Sequence, residues 1–185
     1  MLEVLTDAPV CPVRFKFPGA TVWIDGHIKG RTHAAIAQEA AEQTSHSLPA
    51  WLDRLDGHFR IVVQAEGYGF AAVDPVRTYP LVWAAVENGA VVTHHGSALE
   101  ARLGLGPENL DQEMLAAVAL SGFTIGDATL YRDVKQLGPG SYLWVDETGP
   151  SVRRYYRWEP WQSHSDADPA SLTETLSALH RQLID

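Results

Sequence analysis

The side chains that most often carry catalysis are few in this sequence and widely spaced. The chain has eight histidines and one cysteine. No two histidines have the H-E-x-x-H spacing that places two imidazoles on one face of a helix to bind zinc. His94 and His95 are adjacent, and on a strand they would point to opposite faces. We therefore predict no metal site and interpret all eight histidines as surface or hydrogen-bonded side chains.

Cys11 is the one candidate for a sulfur nucleophile. With no second cysteine it forms no intrachain disulfide, which favours a cytoplasmic location over an oxidising compartment. The next residue, Pro12, has no N–H to offer an oxyanion and fixes the direction of the chain. We prefer to interpret Cys11 as a small, buried apolar residue.

The elements that would position a site are centred on residues 56–84. Phe59, Ile61 and Val63 alternate with their neighbours at the period of two that predicts a strand with one face against a core. A second strand is predicted over 68–73, and a third opens at Pro80. These three segments predict an antiparallel meander.

Further strands and helices are predicted on both sides of the meander from apolar periodicity and turn residues. A helix that begins after Thr32 has a residue suited to cap it. The predicted strands are 10–17, 20–24 and 141–145, the helices are 33–43, 48–55, 97–103 and 111–120, and turns are expected at Asp25-Gly26 and Asn88-Gly89.

Length, composition and charge limit the classes of function. The chain of 185 residues is long enough for one ordinary domain with a full core. A net charge of -9 argues against a nucleic-acid partner, because phosphate binding needs clustered Lys and Arg. No window approaches the roughly 20 apolar residues of a membrane helix, so no membrane partner is expected.

The C-terminal segment differs from the rest of the chain. Residues 159–170 are mostly polar with two prolines, which predicts a linker. Ser171-Leu172-Thr173-Glu174 has the form of a capping box and predicts the start of a helix over 171–185. One apolar stripe of this helix is predicted to be an interface, and it consists of Leu172, Leu176, Leu179 and Leu183.

The order of motifs resembles the glutaminase domain of asparagine synthetases. Residues 55–59 (LDGHF) and 73–83 (VDPVRTYPLVW) resemble the family's L-x-G-x-F-A and A-R-D-x-x-G-x-x-P-L-Y-Y. Residues 128–143 resemble its T-L-F-x-x-I-x-K-L-x-P-G-x-Y-L, and 154–156 its R-Y-W. This resemblance covers about residues 50–158. It implies an α+β fold for residues 1–158, an Ntn-hydrolase-like αββα sandwich of two antiparallel sheets with flanking helices.

The resemblance also implies where a glutamine site would lie, and this chain departs from it there. The family uses an N-terminal cysteine as nucleophile, whereas this sequence begins Met1-Leu2. Its substrate-holding R-L-S-I segment has no counterpart, and its G-S-D aspartate falls near residues 30–32, where no carboxylate is found. We expect no catalytic residue. The positions expected to form a vestigial glutamine pocket are Asp25, Gly26 and His27, at the family's N-G-E, and Asp74 and Arg77, at its R-D pair.

The shortened start and altered site most resemble lasso-peptide cyclases and β-lactam synthetases of the same superfamily. These adenylate a carboxylate and need no ammonia, so a glutaminase pocket can decay while its fold persists. ATP and Mg²⁺ are expected in a synthetase domain absent from this chain, which lacks an S-G-G-x-D-S pyrophosphate loop. The expected function is a non-catalytic support for that domain. The alternatives are a separate module that docks a ligase or a precursor peptide, and an active glutaminase with Cys11 as nucleophile.

Overall fold

Residues 1–6, 12–159 and 168–184 are described by the structure, which is a computed structural model. In these residues the chain forms ten strands, five α-helices and one 3₁₀ turn. The strands are β1 (Leu2–Leu5), β2 (Val13–Phe17), β3 (Ala20–Ile28), β4 (Gly57–Ala65), β5 (Gly69–Val73), β6 (Val82–Val86), β7 (Gly89–Thr93), β8 (Val134–Gln136), β9 (Ser141–Asp146) and β10 (Gly149–Arg154). The helices are α1 (His33–Ala41), α2 (Leu48–Asp53), α3 (Gly96–Leu103), α4 (Gln112–Ser121) and α5 (Pro169–Ile184), and the 3₁₀ turn is Pro107–Asn109.

The strands form two sheets. The larger sheet has six strands in the order β10-β9-β5-β4-β3-β2, and all its neighbours are antiparallel. The smaller sheet has four strands in the order β1-β7-β6-β8. Its β1–β7 pair is parallel and its other pairs are antiparallel. The predicted pair of antiparallel sheets is therefore correct apart from the first strand.

Three apolar clusters stack the elements into four layers. The outer face of the six-stranded sheet packs against α1 and α2, with Ile36 and Trp51 from the helices meeting Ile61 from β4. A second cluster, which includes Val62 and Leu143, fills the space between the two sheets. The third cluster packs α3 on the outer face of the four-stranded sheet. This α+β, αββα arrangement confirms the predicted fold class.

Two predictions of local structure are wrong. Asp25-Gly26 is not a turn, because β3 continues through it to Ile28 and pairs with β4 along its whole length. Glycine at position 26 has φ +103°, a conformation that lets the strand continue where another residue would be strained. The tail helix begins at Pro169, so Ser171 is not its N-cap. Proline is well accepted in the first turn of a helix, where its missing N–H would have no partner.

Other local predictions agree with the structure. Thr32 caps α1, since its hydroxyl accepts a hydrogen bond from the Ala35 N–H at 3.3 Å. Asn88-Gly89 lies at the hairpin between β6 and β7. Among the described residues, none of the helices combines the length and the apolar character needed to traverse a lipid bilayer.

Candidate functional site

Asp25 and Arg60 form an ion pair at one end of the six-stranded sheet, on the face that points towards the smaller sheet. They are directly opposite in the β3–β4 register, and Arg60 Nη2 lies 2.6 Å from Asp25 Oδ2. Arg60 is buried, and 24% of the Asp25 side chain is exposed. The other carboxylate oxygen, Oδ1, accepts the Gly26 N–H at 2.9 Å. Both oxygens of the carboxylate therefore have donors, and the buried guanidinium has a counter-charge.

The rest of the Arg60 guanidinium is held by the loop between β5 and β6. Its Nη1 donates to the Pro80 carbonyl oxygen at 3.4 Å, and its central carbon lies 5.8 Å from the centre of the Tyr79 ring. The Nε is buried without a hydrogen-bond partner among the described residues. Arg60 was not predicted as a site residue. The sequence did contain an indication of its role. Arg60 follows residues 55–59 (LDGHF), at the position where the asparagine synthetase motif L-x-G-x-F-A has alanine.

Gly26 is required beside this ion pair for steric reasons. A Cβ at this position would lie 2.0 Å from the His58 carbonyl oxygen and 2.8 Å from Cε2 of Tyr79. Real side chains do not approach a backbone oxygen this closely, so any other residue would push β3 and β4 apart. The glycine therefore holds Asp25 at its place opposite Arg60.

Asp74 is fully buried and its carboxylate organises the turn after β5. Oδ2 accepts N–H groups from Phe59 at 3.1 Å and from Thr78 at 2.9 Å. Oδ1 accepts the Val76 N–H at 2.9 Å and the Thr78 hydroxyl at 3.4 Å. With four donors on two oxygens, Asp74 is engaged in fixing the backbone. In the same turn, Arg77 has φ +58°.

The five predicted pocket residues are only partly brought together. Asp25, Gly26 and His27 are consecutive on β3, and Asp74 connects to their neighbourhood through Thr78, whose hydroxyl lies 2.8 Å from Nδ1 of His58. His27 is exposed and lies opposite His58 in the strand register. Among the described residues, no side-chain hydrogen bond or ion pair joins Arg77 to this group.

The space next to Arg60, between the two sheets, is nearly filled. The cavity there measures about 10 Å³, close to the minimum volume that holds one water molecule. Pockets for small molecules usually measure about 300–1,000 Å³. The lining residues include Thr6, Pro12, Trp23, Arg60, Leu81 and Thr93. Cys11, which immediately precedes Pro12, lies outside the described residues, so its predicted burial stays a prediction.

Tyr155 packs against the helix side of the six-stranded sheet and hydrogen-bonds to the residue before Asp74. Its hydroxyl donates to the Val73 carbonyl oxygen at 2.8 Å. Burial raises the pKa of this phenol well above its ordinary value, and the negative charges of Asp74 and Asp53 raise the pKa further. The phenol therefore stays neutral and acts as a hydrogen-bond donor.

The remaining predictions concern metal ligands and the leucine stripe of α5. In the described part of the chain, no three His, Cys, Asp or Glu side chains are grouped so as to hold a metal ion. The predicted interface leucines Leu172, Leu176 and Leu179 on α5 are all more than half exposed. The side chain of Leu183 lies outside the described residues.

Comparison with known proteins identifies a family. The family model of the glutamine amidotransferase domain matches residues 38–156. No curated protein sequence matches the chain.

Two solved structures are similar to part of the chain. One is glutamine phosphoribosylpyrophosphate (PRPP) amidotransferase from B. subtilis, complexed with ADP and GMP, with 15% identity and a TM-score of 0.48. The other is described as the allosteric regulatory enzyme of purine biosynthesis, with 14% identity and a TM-score of 0.46. Each match covers 80% of this chain, which spans only 32% of the length of either structure.

The ion pair predicts a strong energetic coupling between Asp25 and Arg60. We expect Arg60→Met or Asp25→Asn alone to lower the free energy of unfolding by at least about 2 kcal/mol, because each leaves an unpaired, largely buried charge. We expect a smaller loss than the ~3–5 kcal/mol that follows removal of one partner from a fully buried ion pair, because part of Asp25 is exposed. The double variant should lose clearly less free energy of unfolding than the two single variants lose together. Urea denaturation measures all three losses. Additive losses would contradict the coupling. Asp56→Asn, in the exposed Lys29–Asp56 pair, is the control and should cost less than about 0.5 kcal/mol.

Tyr155 predicts a loss of stability at alkaline pH. The unfolded phenol ionises near its ordinary pKa of about 10, whereas the folded phenol ionises at higher pH. The folded state is therefore fully favoured below pH 10, and stability declines as the pH rises above that value. Tyr155→Phe should lower the free energy of unfolding by about 1 kcal/mol at pH 7. Above pH 10, the stability of this variant should decline less steeply than that of the wild type. Tyr156→Phe, on an exposed ring, is the matched control and should leave the wild-type profile of denaturation against pH unchanged.

Proposed function

The chain belongs to the glutamine amidotransferase domain family, and we propose that it is a non-catalytic member that supports a synthetase domain. That domain would activate a carboxylate with ATP and form an amide bond, as in asparagine-synthetase-like enzymes. Among these, the lasso-peptide cyclases and β-lactam synthetases suit the site best, because the amine that attacks the activated carboxylate belongs to their substrate. Such an enzyme would work in the biosynthesis of a modified peptide or an antibiotic, and it needs no ammonia from glutamine.

The Asp25–Arg60 ion pair carries the non-catalytic part of this proposal. At the two corresponding positions, the asparagine synthetase motifs N-G-E and L-x-G-x-F-A have an uncharged amide and a small alanine. In this chain the two residues are the oppositely charged Asp25 and Arg60, and Arg60 Nη2 lies 2.6 Å from Asp25 Oδ2. Arg60 is one of the residues that line the inter-sheet cavity, which measures about 10 Å³. This cavity, which none of the five predicted pocket residues lines, holds at most about one water molecule.

Two exposed apolar surfaces support the role as a platform. The first is the leucine stripe of α5, formed by Leu172, Leu176 and Leu179. Burial of one leucine side chain stabilises a complex by about 1.5–3 kcal/mol, so a partner that covers the stripe would gain several kcal/mol. A lone helix of this length is also only marginally stable in water, and a partner surface would stabilise it.

The second surface is the α4 patch, defined as Leu120, Phe123 and Ile125 together with the apolar run 114–120 of α4. The run contains seven consecutive apolar residues, so apolar side chains point to all sides of the helix. A helix of this kind is normally buried, yet no residue of α4 is fully buried here. Leu120 is 90% exposed. A larger assembly that covers the α4 patch would account for this composition.

ATP and Mg²⁺ are assigned to the synthetase domain and not to this chain. The sequence has no S-G-G-x-D-S loop to cradle a pyrophosphate, and the described residues offer no group of three metal ligands. No step of the ATP reaction is therefore attributed to the residues of this chain.

The alternative is a separate module that docks a ligase or a precursor peptide. It would use the same two surfaces, so the geometry favours neither arrangement. The gene distinguishes them. If the reading frame continues past residue 185 into a segment with S-G-G-x-D-S, the two domains share one chain. If that motif is encoded by a separate gene, the module interpretation holds.

The first test of the proposal is an assay for glutaminase activity. We expect the purified full-length protein to release no ammonia from glutamine above the buffer rate. The contrary outcome is ammonia release that disappears in Cys11→Ala but persists in Ser45→Ala, a control at an exposed position between α1 and α2. That result would make the protein an active glutaminase with Cys11 as nucleophile.

The second test concerns the α5 stripe. Leu176→Asp with Leu179→Asp should weaken binding of the synthetase domain at least about tenfold by calorimetry, because two buried apolar contacts are replaced by charges. The thermal stability of the chain alone should stay the same, since both leucines are exposed in it. The matched control is Ala170→Asp with Ser177→Asp, which adds the same charge on the opposite side of α5. Equal binding by both double variants would refute the role of the stripe.

A further inference from the structure

His27 and His58 lie directly opposite each other on β3 and β4. Side chains of paired residues in antiparallel strands share one face of the sheet, with Cβ atoms about 4.5–5.5 Å apart. Both histidines are exposed. A metal ion held at the usual metal–nitrogen distance of about 2.0–2.1 Å bridges two imidazoles presented in this way.

Two glycines hold the strands close together at the histidine pair. A Cβ on Gly26 would lie 2.0 Å from the His58 carbonyl oxygen, and a Cβ on Gly57 would lie 2.2 Å from the His27 carbonyl oxygen. The backbones therefore approach each other where any side chain would separate them. As a result, the spacing of the two histidines is set by a paired sheet and not by a loop.

Thr78 orients the imidazole of His58. Its hydroxyl lies 2.8 Å from His58 Nδ1 and donates to Asp74 Oδ1 at 3.4 Å. We assign the Nδ1 proton to the bond with Thr78, because the hydroxyl hydrogen is directed to the buried carboxylate. Nε2 of His58 then carries a free lone pair. Histidines that ligate metals commonly donate their other ring N–H to a second group in this manner.

We propose that His27 and His58 form a binding site for a late first-row divalent transition-metal ion, with Cu²⁺ bound most tightly. Imidazole nitrogens suit Zn²⁺, Ni²⁺ and Cu²⁺, and Cu²⁺ has the highest affinity for nitrogen sites in this series. Asp25, two residues before His27, is held by Arg60 and does not supply a third ligand. Water completes the coordination of this two-histidine site.

The sequence did not reveal this pair, because its two members come from different strands and no local spacing joins them. The pair also changes the interpretation of these two histidines as ordinary surface residues. The site depends only on the β3–β4 ladder and the Asp74 turn, so it is independent of the proposed support of a synthetase domain.

The experiment is a titration of metal-free, full-length protein with Cu²⁺, followed by calorimetry and electron paramagnetic resonance. We expect one tight Cu²⁺ with hyperfine coupling to two imidazole nitrogens. His27→Ala and His58→Ala should each lower the affinity at least about tenfold and remove one coupled nitrogen. His46→Ala, an exposed histidine away from the pair, is the matched control and should bind Cu²⁺ like the wild type.

Thr78 provides a test of the orienting contact. Thr78→Val should weaken Cu²⁺ binding about tenfold, as losses of such second contacts do, whereas Thr78→Ser keeps the hydroxyl and should restore the affinity. The proposal would be overturned if His27→Ala and His58→Ala both bound Cu²⁺ with wild-type affinity. It would also be overturned if His46→Ala lowered the Cu²⁺ affinity as much as these two variants do. Thermal melts of every variant verify that the compared proteins are folded.

Discussion

The antiparallel pairing of β3 with β4 is the constraint on which the rest of the structure depends. The two nine-residue strands pair along their whole length in the six-stranded sheet. One face of the pair packs against α1 and α2, and the other face packs against the smaller sheet. Because a one-residue slip would exchange these two faces, the register is strongly fixed. That register sets Asp25 opposite Arg60 and His27 opposite His58.

The Asp25–Arg60 ion pair is a local feature in which two charges are accommodated beside an apolar core. A single charge at either position would be costly beside an apolar core, since removal from water is compensated only by a close partner. Asp25 and Arg60 are paired across β3 and β4, so their opposite charges neutralise each other. The cavity next to Arg60 measures only about 10 Å³, so the space between the two sheets is tightly packed there.

The α5 stripe and the α4 patch differ from the core in one physical respect. Core side chains such as Phe59 and Leu143 are fully covered by neighbouring layers. The leucines of the α5 stripe and Leu120, Phe123 and Ile125 of the α4 patch have the same chemistry, but they are exposed. Exposed apolar groups that are contiguous usually mark an interaction surface. The two surfaces are thus the best structural support for a role in assembly.

The sequence by itself determined the fold class and most of the elements. Strand alternation at Phe59, Ile61 and Val63, the Thr32 cap and the Asn88-Gly89 hairpin were all read correctly, because each depends on local periodicity or on one turn. The order of family motifs placed the chain among the amidotransferases, which the family match supports. The resemblance also assigned Asp25 and Gly26 to a vestigial glutamine pocket, which stays a prediction, whereas the turn predicted at these residues is wrong.

Only the tertiary structure decided what surrounds these residues. Arg60 and Asp25 are far apart in sequence, and their contact arises from the β3–β4 register. The same register sets His27 opposite His58. The buried carboxylate of Asp74 likewise binds N–H groups from two separate segments, Phe59 on β4 and Thr78 in the loop after β5. Local patterns report on which face a side chain lies, but long-range strand pairing decides which side chain lies opposite. The Asp25–Arg60 ion pair and the placement of His27 opposite His58 both depend on that pairing.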